Sequence, residues 1–132
     1  MGDRAYYAYY EKEDAITVPT DIRCFEFMEN ADASPEAYAV SRPGYSITPK
    51  LAYEEALKGL ITLPTHDAQG HVINYVGQTQ GGGLFSNTEI TELYFERGSQ
   101  YEVIGSGACK GITTLKAVHL TDTIVELRRG AF

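Results

Sequence analysis

Tryptophan is absent from this chain of 132 residues, and only two cysteines occur in it. Cys24 and Cys109 are too few for a disulfide framework and lack the spacing of a metal site, so we expect free, partly buried thiols. His66, His71 and His119 show no ligand spacing either, and no metal is expected. Apolar runs long enough to cross a bilayer are missing, as is the basic-then-apolar order of a secretory signal peptide. We therefore expect a soluble protein without a signal peptide and without a membrane partner.

Basic residues are in the minority, since 11 lysines and arginines stand against 18 aspartates and glutamates, a formal net charge of −7. Such a chain repels a polyphosphate backbone at long range. The charge therefore argues against sequence-independent nucleic-acid binding, although it leaves a local site for RNA open. With 43% hydrophobic and 11% aromatic residues, the composition is that of a globular protein. The length fits one domain.

The order of local patterns predicts an N-terminal arm followed by a single domain. Residues 1–15 are rich in tyrosine and charge and form the arm, and residues 16–132 form the domain. We find no internal repeat and no low-complexity tract. Ser34-Pro35-Glu36 predicts a short helix through residue 40. Thr48-Pro49 predicts the start of a longer helix, with apolar side chains on one face at Tyr53, Ala56, Leu57 and Leu60.

Strand patterns dominate the rest of the domain. Alternating or β-branched runs predict extended segments at 16–28, 45–48, 72–76, 90–95, 100–104, 112–119 and 123–127. One or two short helices thus come early and a run of strands comes late. That order favours an α+β domain with a mostly antiparallel sheet over alternating β-α-β units.

Three segments carry residues of one chemical set. Ile22-Arg23-Cys24-Phe25 places an arginine on the first strong strand, and Gly44-Tyr45-Ser46-Ile47-Thr48-Pro49 leads a serine into the longer helix. Glu92 opens a later strand, shortly before the turn at Gly98 (98 − 92 = 6), and follows Ser46 at a sequence separation of 46 (92 − 46 = 46). This order and spacing resemble the arginine–serine–glutamate signature of the mono-ADP-ribosyltransferase toxins, over roughly residues 16–118.

The resemblance implies a minimal member of that family, with a small ADP-ribosyltransferase-like domain built on a split sheet. It implies that the chain binds NAD as a substrate and transfers ADP-ribose to a macromolecular acceptor, a protein rather than RNA. A bacterial toxin or effector of this kind stays in the cytoplasm of its producer or is delivered into a target cell, and a cognate immunity protein restrains it. The implied catalytic residues are Arg23, Ser46 and Glu92, and the implied NAD-binding residues are Arg23, Tyr45, Ser46, Thr48 and Phe25.

The chemistry of nicotinamide release suits the same side chains. Departure of nicotinamide leaves an oxocarbenium-like ribose, which a fixed carboxylate such as Glu92 stabilises. A guanidinium binds a pyrophosphate in a bidentate manner, which suits Arg23. The Ser46 hydroxyl would orient both groups. Tyr45 or Phe25 would stack on the nicotinamide ring.

A glycine-rich run over residues 77–88 would cover the site and present the acceptor. Neither a Lys-Ser/Thr pair nor a helix start follows it, so it is not a P-loop. Members of the family often carry Glu or Gln two residues before the catalytic glutamate, where this chain has Ile90, and the identity of the acceptor is therefore open. The residues that would contact the acceptor are Gln78, Gln80, Phe85 and Glu89.

Other interpretations of these residues stay open. Glu92 and Arg23 are also typical of solvated strand positions, Ser46 of a strand end, and Arg42 is a rival for the pyrophosphate clamp. With water as acceptor, the same residues would make the chain an NAD glycohydrolase. From a different class, a non-catalytic acidic interaction module also fits the net charge and the tyrosine-rich arm. Such a module would be an immunity or anti-defence protein that occupies a basic site on its partner.

Overall fold

The computed structural model describes residues 16–30, 33–35, 44–77 and 85–132. The predicted arm, most of the helix predicted over residues 34–40, and the side chains of Arg42, Gln78 and Gln80 lie outside the described residues.

Strands make up most of the regular structure, and two short 3-10 helices, Ile22–Cys24 and Leu51–Ala56, accompany them. Ile16 and Thr17 are helical as well. The strands are β1 (Phe25–Asn30), β2 (Gly44–Pro49), β3 (Lys58–Leu63), β4 (Tyr75–Val76), β5 (Glu89–Phe95), β6 (Val103–Ile104), β7 (Ala117–Val118) and β8 (Glu126–Leu127). One sheet has the strand order β1-β2-β4-β6-β8 and the other the order β3-β5-β7. The coarse prediction of a small, strand-dominated α+β domain is therefore confirmed.

From β2 onward, successive strands alternate between the two sheets, and each strand from β4 onward pairs in parallel with the strand two places earlier in the chain. Sequence separations between register partners in the larger sheet are 75 − 46 = 29, 103 − 75 = 28 and 126 − 103 = 23. Those in the smaller sheet are 92 − 60 = 32 and 117 − 92 = 25. A solenoid is a chain in which each repeat of roughly 20–45 residues stacks on the repeat before it. The described part is thus a short β-solenoid of stacked coils.

The prediction of a mostly antiparallel sheet is wrong, because β1 with β2 is the one antiparallel strand pair in the described part of the chain. Short connections between strands suggested hairpins. Here, however, each connection turns a corner into the other sheet, and pairing joins strands that are not consecutive. The statement that the chain has no repeat is wrong for the same reason, since the coil is a structural repeat of variable length.

The helix predicted from residue 49 to about 60 is also wrong in its extent. The 3-10 helix ends at Ala56, and β3 begins at Lys58. Tyr53, which should face the core, is 41% exposed, whereas Ile61 and Leu63 alternate into the interior. Pairing with β5 over six positions buries these two side chains, so tertiary contacts override the helical pattern.

The larger of two apolar clusters in the described part of the chain lies between the two sheets, and the smaller consists of Ala33, Tyr75 and Val103. The larger sheet contributes Ile47, Val76 and Ile104 at successive coils, and the smaller sheet contributes Ile61 and Leu93. Tyr101 also points into the core, where its hydroxyl donates to the Pro64 carbonyl oxygen at 2.7 Å and its ring meets Phe95 edge-on. Both cysteines are free, as predicted. Burial raises the pKa of the Cys109 thiol to about 12.

The last two coils carry a sequence repeat that reflects this stacking. Val103-Ile104-Gly105-Ser106-Gly107-Ala108-Cys109 and Glu126-Leu127-Arg128-Arg129-Gly130-Ala131-Phe132 are offset by the same interval as the β6–β8 register (126 − 103 = 23). Gly107 and Gly130 both adopt positive φ, 67° and 69°, a conformation that favours glycine. The Cys109 amide then donates to the Ala131 carbonyl oxygen at 2.8 Å, so the two turns stack directly.

Candidate functional site

Arg23 lies in the first 3-10 helix, and its guanidinium points away from the core. The side chain is 80% exposed and forms a short ion pair of 2.6 Å with Asp21, its neighbour two residues earlier. The hydrogen bonds from Arg23 lower the pKa of the Asp21 carboxyl to about 2. Arg23 also lines a cavity of about 500 Å³ together with Phe25 and Lys50. The guanidinium is thus engaged by an exposed local partner.

Ser46 lies in β2 and is fully buried. Its hydroxyl donates to the Met28 carbonyl oxygen across the β1–β2 pair, at 3.3 Å. Thr48, on the same strand, is buried as well, and Phe25 belongs to the core. Tyr45 is partly exposed and stacks on the His71 ring, with centroids 4.0 Å apart. Of the predicted NAD-binding side chains, Tyr45 and Arg23 therefore reach solvent.

Glu92 lies in β5, in the smaller sheet, and its side chain is 39% exposed. Glu92 Oε1 lies 3.5 Å from His119 Nε2, a contact that is an ion pair only when the imidazole is protonated. Arg23 precedes β1 and Ser46 lies in β2, whereas Glu92 belongs to the other sheet. No hydrogen bond or ion pair in the described part of the chain joins any two of the three residues. The structure therefore does not assemble the predicted triad, and its catalytic role stays a prediction.

The predicted acceptor residues separate in the same way. Phe85 is fully buried, and its amide donates to the Ala108 carbonyl oxygen in the next coil. Glu89 is exposed at the start of β5, opposite Lys58 in the parallel register. Phe85 thus holds coils together, while Glu89 is available to solvent.

The structure instead contains an apolar groove between corresponding segments of two successive coils. The groove has a volume of about 480 Å³, within the range of ligand sites. Residues 94–99, which are the end of β5 and the turn after it, line one side, residues 119–123 after β7 line the other, and Ile16 also belongs to the lining. Among these residues Tyr94, Phe95 and Leu120 are apolar, while Glu96, Arg97 and Asp122 carry charge.

A stacked pair of rings belongs to this groove. Tyr94 and His119 lie one residue beyond the register pair Leu93 and Val118, and their rings stack with centroids 4.0 Å apart and planes 7° apart. His119 Nε2 is buried and makes no hydrogen bond within the described part of the chain, although Glu92 Oε1 lies 3.5 Å away. The stack fixes the His119 ring across the coil boundary.

A second, more polar cavity of about 310 Å³ lies on the larger sheet. Asn74 accepts the Tyr45 amide at 2.9 Å and donates to Glu102 at 3.2 Å, which joins three coils. A Cβ at Gly44 would lie 2.2 Å from the Asn74 side-chain oxygen, so any larger residue there would displace the Asn74 amide. The asparagine is therefore held by the fold, and its polar atoms are already used.

The turn beside this cavity is fixed by Asp67. Its carboxylate accepts the amides of Gln69 and His71 at 2.9 Å each, and its second oxygen contacts His71 Nδ1 at 2.9 Å. Partial burial acts to raise the pKa of Asp67, but these hydrogen bonds outweigh it and hold the pKa below its usual value. The turn therefore orients the His71 ring against Tyr45.

Comparison with known protein families, curated proteins and solved structures finds no match to this chain. Among the described residues, no group of three or more His, Cys, Asp or Glu side chains is placed to hold a metal ion. No helix in the described part has the length and apolar character needed to span a bilayer.

Sequence reasoning missed the groove because it treated residues 94–99 and 119–123 as unrelated turns. The sequence separation of Tyr94 and His119 (119 − 94 = 25) equals the β5–β7 register offset (117 − 92 = 25). The recurrence of Gly-Ala at 107–108 and 130–131 was the signal that could have revealed the repeat. His119 is the residue that lies one coil length of 25 positions (119 − 94 = 25) after Tyr94.

Proposed function

We propose that this chain is a non-catalytic binding module, in which a short β-solenoid presents the groove beside Tyr94 and His119 to a protein partner. The observation that carries the proposal is the groove itself, an apolar cleft built from corresponding segments of two stacked coils. Stacked repeats produce extended surfaces that solenoid proteins use for binding. Leu120 supports this assignment because it is 47% exposed at the groove wall, where an apolar partner side chain would cover it.

Charge favours a basic partner. The chain carries a net charge of −7, which attracts a cationic surface at long range and raises its association rate. In the groove lining, Glu96 and Asp122 outnumber Arg97, and the partly exposed Glu92 lies 3.5 Å from the lining residue His119. The partner chemistry that fits is an apolar side chain with lysine or arginine beside it.

Affinity capture with two matched variants tests this proposal. Leu120→Arg places a charge in the groove, whereas Val72→Arg changes a similarly exposed residue at the second cavity. We expect Leu120→Arg to reduce the captured partner at least about tenfold, as for an interface anchor, and Val72→Arg to leave it unchanged. Circular dichroism checks that both variants fold. Equal capture by the native chain and Leu120→Arg contradicts the groove assignment.

The transferase hypothesis is tested in parallel with labelled NAD and cell lysate. A transferase or glycohydrolase that uses Glu92 releases nicotinamide and loses at least about a hundredfold of this activity in Glu92→Gln. The binding module releases none, in either form. Nicotinamide release that depends on Glu92 overturns our proposal in favour of the enzyme.

A further inference from the structure

The polar cavity on the larger sheet is lined by side chains whose hydrogen-bonding capacity the fold leaves unused. Its volume of about 310 Å³ lies near the lower bound of ligand sites and suits a small molecule. Tyr45, His71 and Gln100 belong to the lining. Within the described part of the chain, no hydrogen bond is formed by the Tyr45 hydroxyl, by His71 Nε2 or by the Gln100 side-chain amide.

The turn before this cavity fixes the chemistry of the His71 ring. Nδ1 of the ring lies 2.9 Å from Asp67 Oδ2, and the Asp67 side chain is only 7% exposed. Burial acts to raise the pKa of Asp67, but hydrogen bonds from the His71 amide, the His71 ring and the Gln69 amide hold that pKa below its usual value. The carboxylate is therefore ionised at neutral pH and can only accept. Nδ1 thus carries a proton, and Nε2 of the neutral imidazole is an acceptor.

Hydrogen bonds within the fold hold the walls of the cavity in place. The turn closes where the Asp67 amide donates to the His71 carbonyl oxygen at 3.0 Å. The His71 ring stacks on Tyr45 with planes 3° apart, and Asn74 Oδ1 accepts the Tyr45 amide at 2.9 Å. A ligand therefore meets groups that are already fixed, which lowers the entropic cost of binding.

The charges of the cavity favour a neutral ligand. Glu102 belongs to the described lining, Asp67 contacts the lining residue His71, and the lining contains neither lysine nor arginine, so an anion would face like charge. Both carboxylates already accept hydrogen bonds within the fold, Glu102 from Asn74 Nδ2 at 3.2 Å and Asp67 from the turn. A cation therefore finds no carboxylate dedicated to it.

We infer that this cavity binds a neutral sugar ring. His71 Nε2 accepts a hydrogen bond from one hydroxyl, and the Gln100 amide, which both donates and accepts, pairs with a neighbouring hydroxyl. The Tyr45 hydroxyl supplies a third contact. A sugar ring fits because it carries several hydroxyls, each a donor and an acceptor, on neighbouring carbons of a small frame. The site is separate from the apolar groove, so the inference goes beyond the proposed binding function and does not depend on it.

NMR titration of the native chain with glucose, galactose and mannose at about pH 8, where imidazole is ordinarily neutral, tests the inference. We expect at least one of these sugars to bind saturably, with a dissociation constant below about 10 mM. It should shift the signals of the His71 ring and the Gln100 side chain, while those of His119 in the groove stay unchanged. Glucuronate, which adds a carboxylate to the ring, should bind at least about tenfold more weakly than glucose.

His71→Phe and His66→Phe are matched variants of the same turn. His71→Phe keeps a ring against Tyr45 but removes the acceptor, so it should weaken sugar binding at least about tenfold. His66 lies outside the described lining, and His66→Phe should bind as the native chain does. Circular dichroism checks folding, and Gln100→Ala, at an exposed position, gives the same comparison if His71→Phe does not fold.

Four results would overturn the inference. The first is the absence of saturable binding for all three sugars up to about 50 mM. The second is a set of shifts at His119 without shifts at His71. The third is binding of glucuronate as tight as that of glucose. The last is unchanged sugar binding by the folded His71→Phe or Gln100→Ala variant.

Discussion

Truncation of one apolar side chain in each of two successive coils provides a direct test of the solenoid. Ile104 and Leu127 occupy the same register position, so Ile104→Ala and Leu127→Ala remove similar side chains from equivalent places. Ile104 is fully buried between β4 and β8. Its truncation loses the transfer free energy and leaves a cavity, which together cost about 2–5 kcal/mol of the free energy of unfolding.

Leu127 is half exposed, so its truncation gives a smaller loss. Complete burial of such a side chain contributes roughly 1.5–3 kcal/mol, of which Leu127 gains about half. Because no enclosed cavity forms, we expect Leu127→Ala to lower the free energy of unfolding by about 1 kcal/mol. Ile104→Ala removes a large part of the roughly 5–15 kcal/mol that stabilises a typical domain.

Urea unfolding of both variants and the native chain measures the two losses. Equal losses at the two positions would refute the coil register on which the fold description rests.

Two further predictions concern single interior positions. A Cβ at Gly105 would lie 2.7 Å from the Tyr75 ring and from the Val76 carbonyl oxygen, whereas one at Gly98 meets open space but needs φ near 83°. Gly105→Ala should therefore lower the free energy of unfolding by about 2–3 kcal/mol through overpacking. Gly98→Ala should lower it by about 1–2 kcal/mol through backbone strain alone. If thermal unfolding shows Gly98→Ala to be the less stable variant, the close approach at Gly105 is contradicted. Burial raises the pKa of Tyr101 well above 10.0. The buried, protonated hydroxyl therefore contributes fully to the free energy of unfolding below pH 10. That contribution is lost as the pH rises above this value, because the tyrosine of the unfolded chain releases its proton first. Tyr101→Phe should flatten this alkaline loss in pH-dependent unfolding and should cost about 1–3 kcal/mol at neutral pH, because the Pro64 carbonyl oxygen loses its donor; an unchanged alkaline slope would contradict the assignment.

The positions of the late strands could be predicted from the sequence, but their partners could not. The strand predicted at residues 90–95 is confirmed, since β5 spans Glu89–Phe95. The segments predicted at 100–104, 112–119 and 123–127 each contain a strand, although each strand has two residues. Local patterns report which residues fit a pleated surface. They do not report whether the next turn folds back beside the same strand or crosses into the other sheet.

The same limit explains why the predicted site did not assemble. The order and spacing of Arg23, Ser46 and Glu92 resemble a known signature, but a site forms only where the strands that carry its residues are neighbours. In this chain β2 belongs to one sheet and β5 to the other, so the sequence separation of Ser46 and Glu92 does not bring them together. Ser46 is instead directed to a neighbouring backbone carbonyl, and Glu92 to the next coil.

In a solenoid, residues meet when they are separated by one coil, and that rule identifies the groove. The separations of His119 from Glu92 (119 − 92 = 27) and from Tyr94 (119 − 94 = 25) are close to the β5–β7 register offset, and His119 contacts both. The coil length is shortest at β6–β8 (126 − 103 = 23) and longest at β3–β5 (92 − 60 = 32) among the register pairs, and this variation hides the repeat from a search for a fixed period. Because the apolar groove lies between two coils, its shape depends on that variable length. A change in the length of the 96–102 connection should therefore alter partner binding while the core rows of β5 and β7 stay paired.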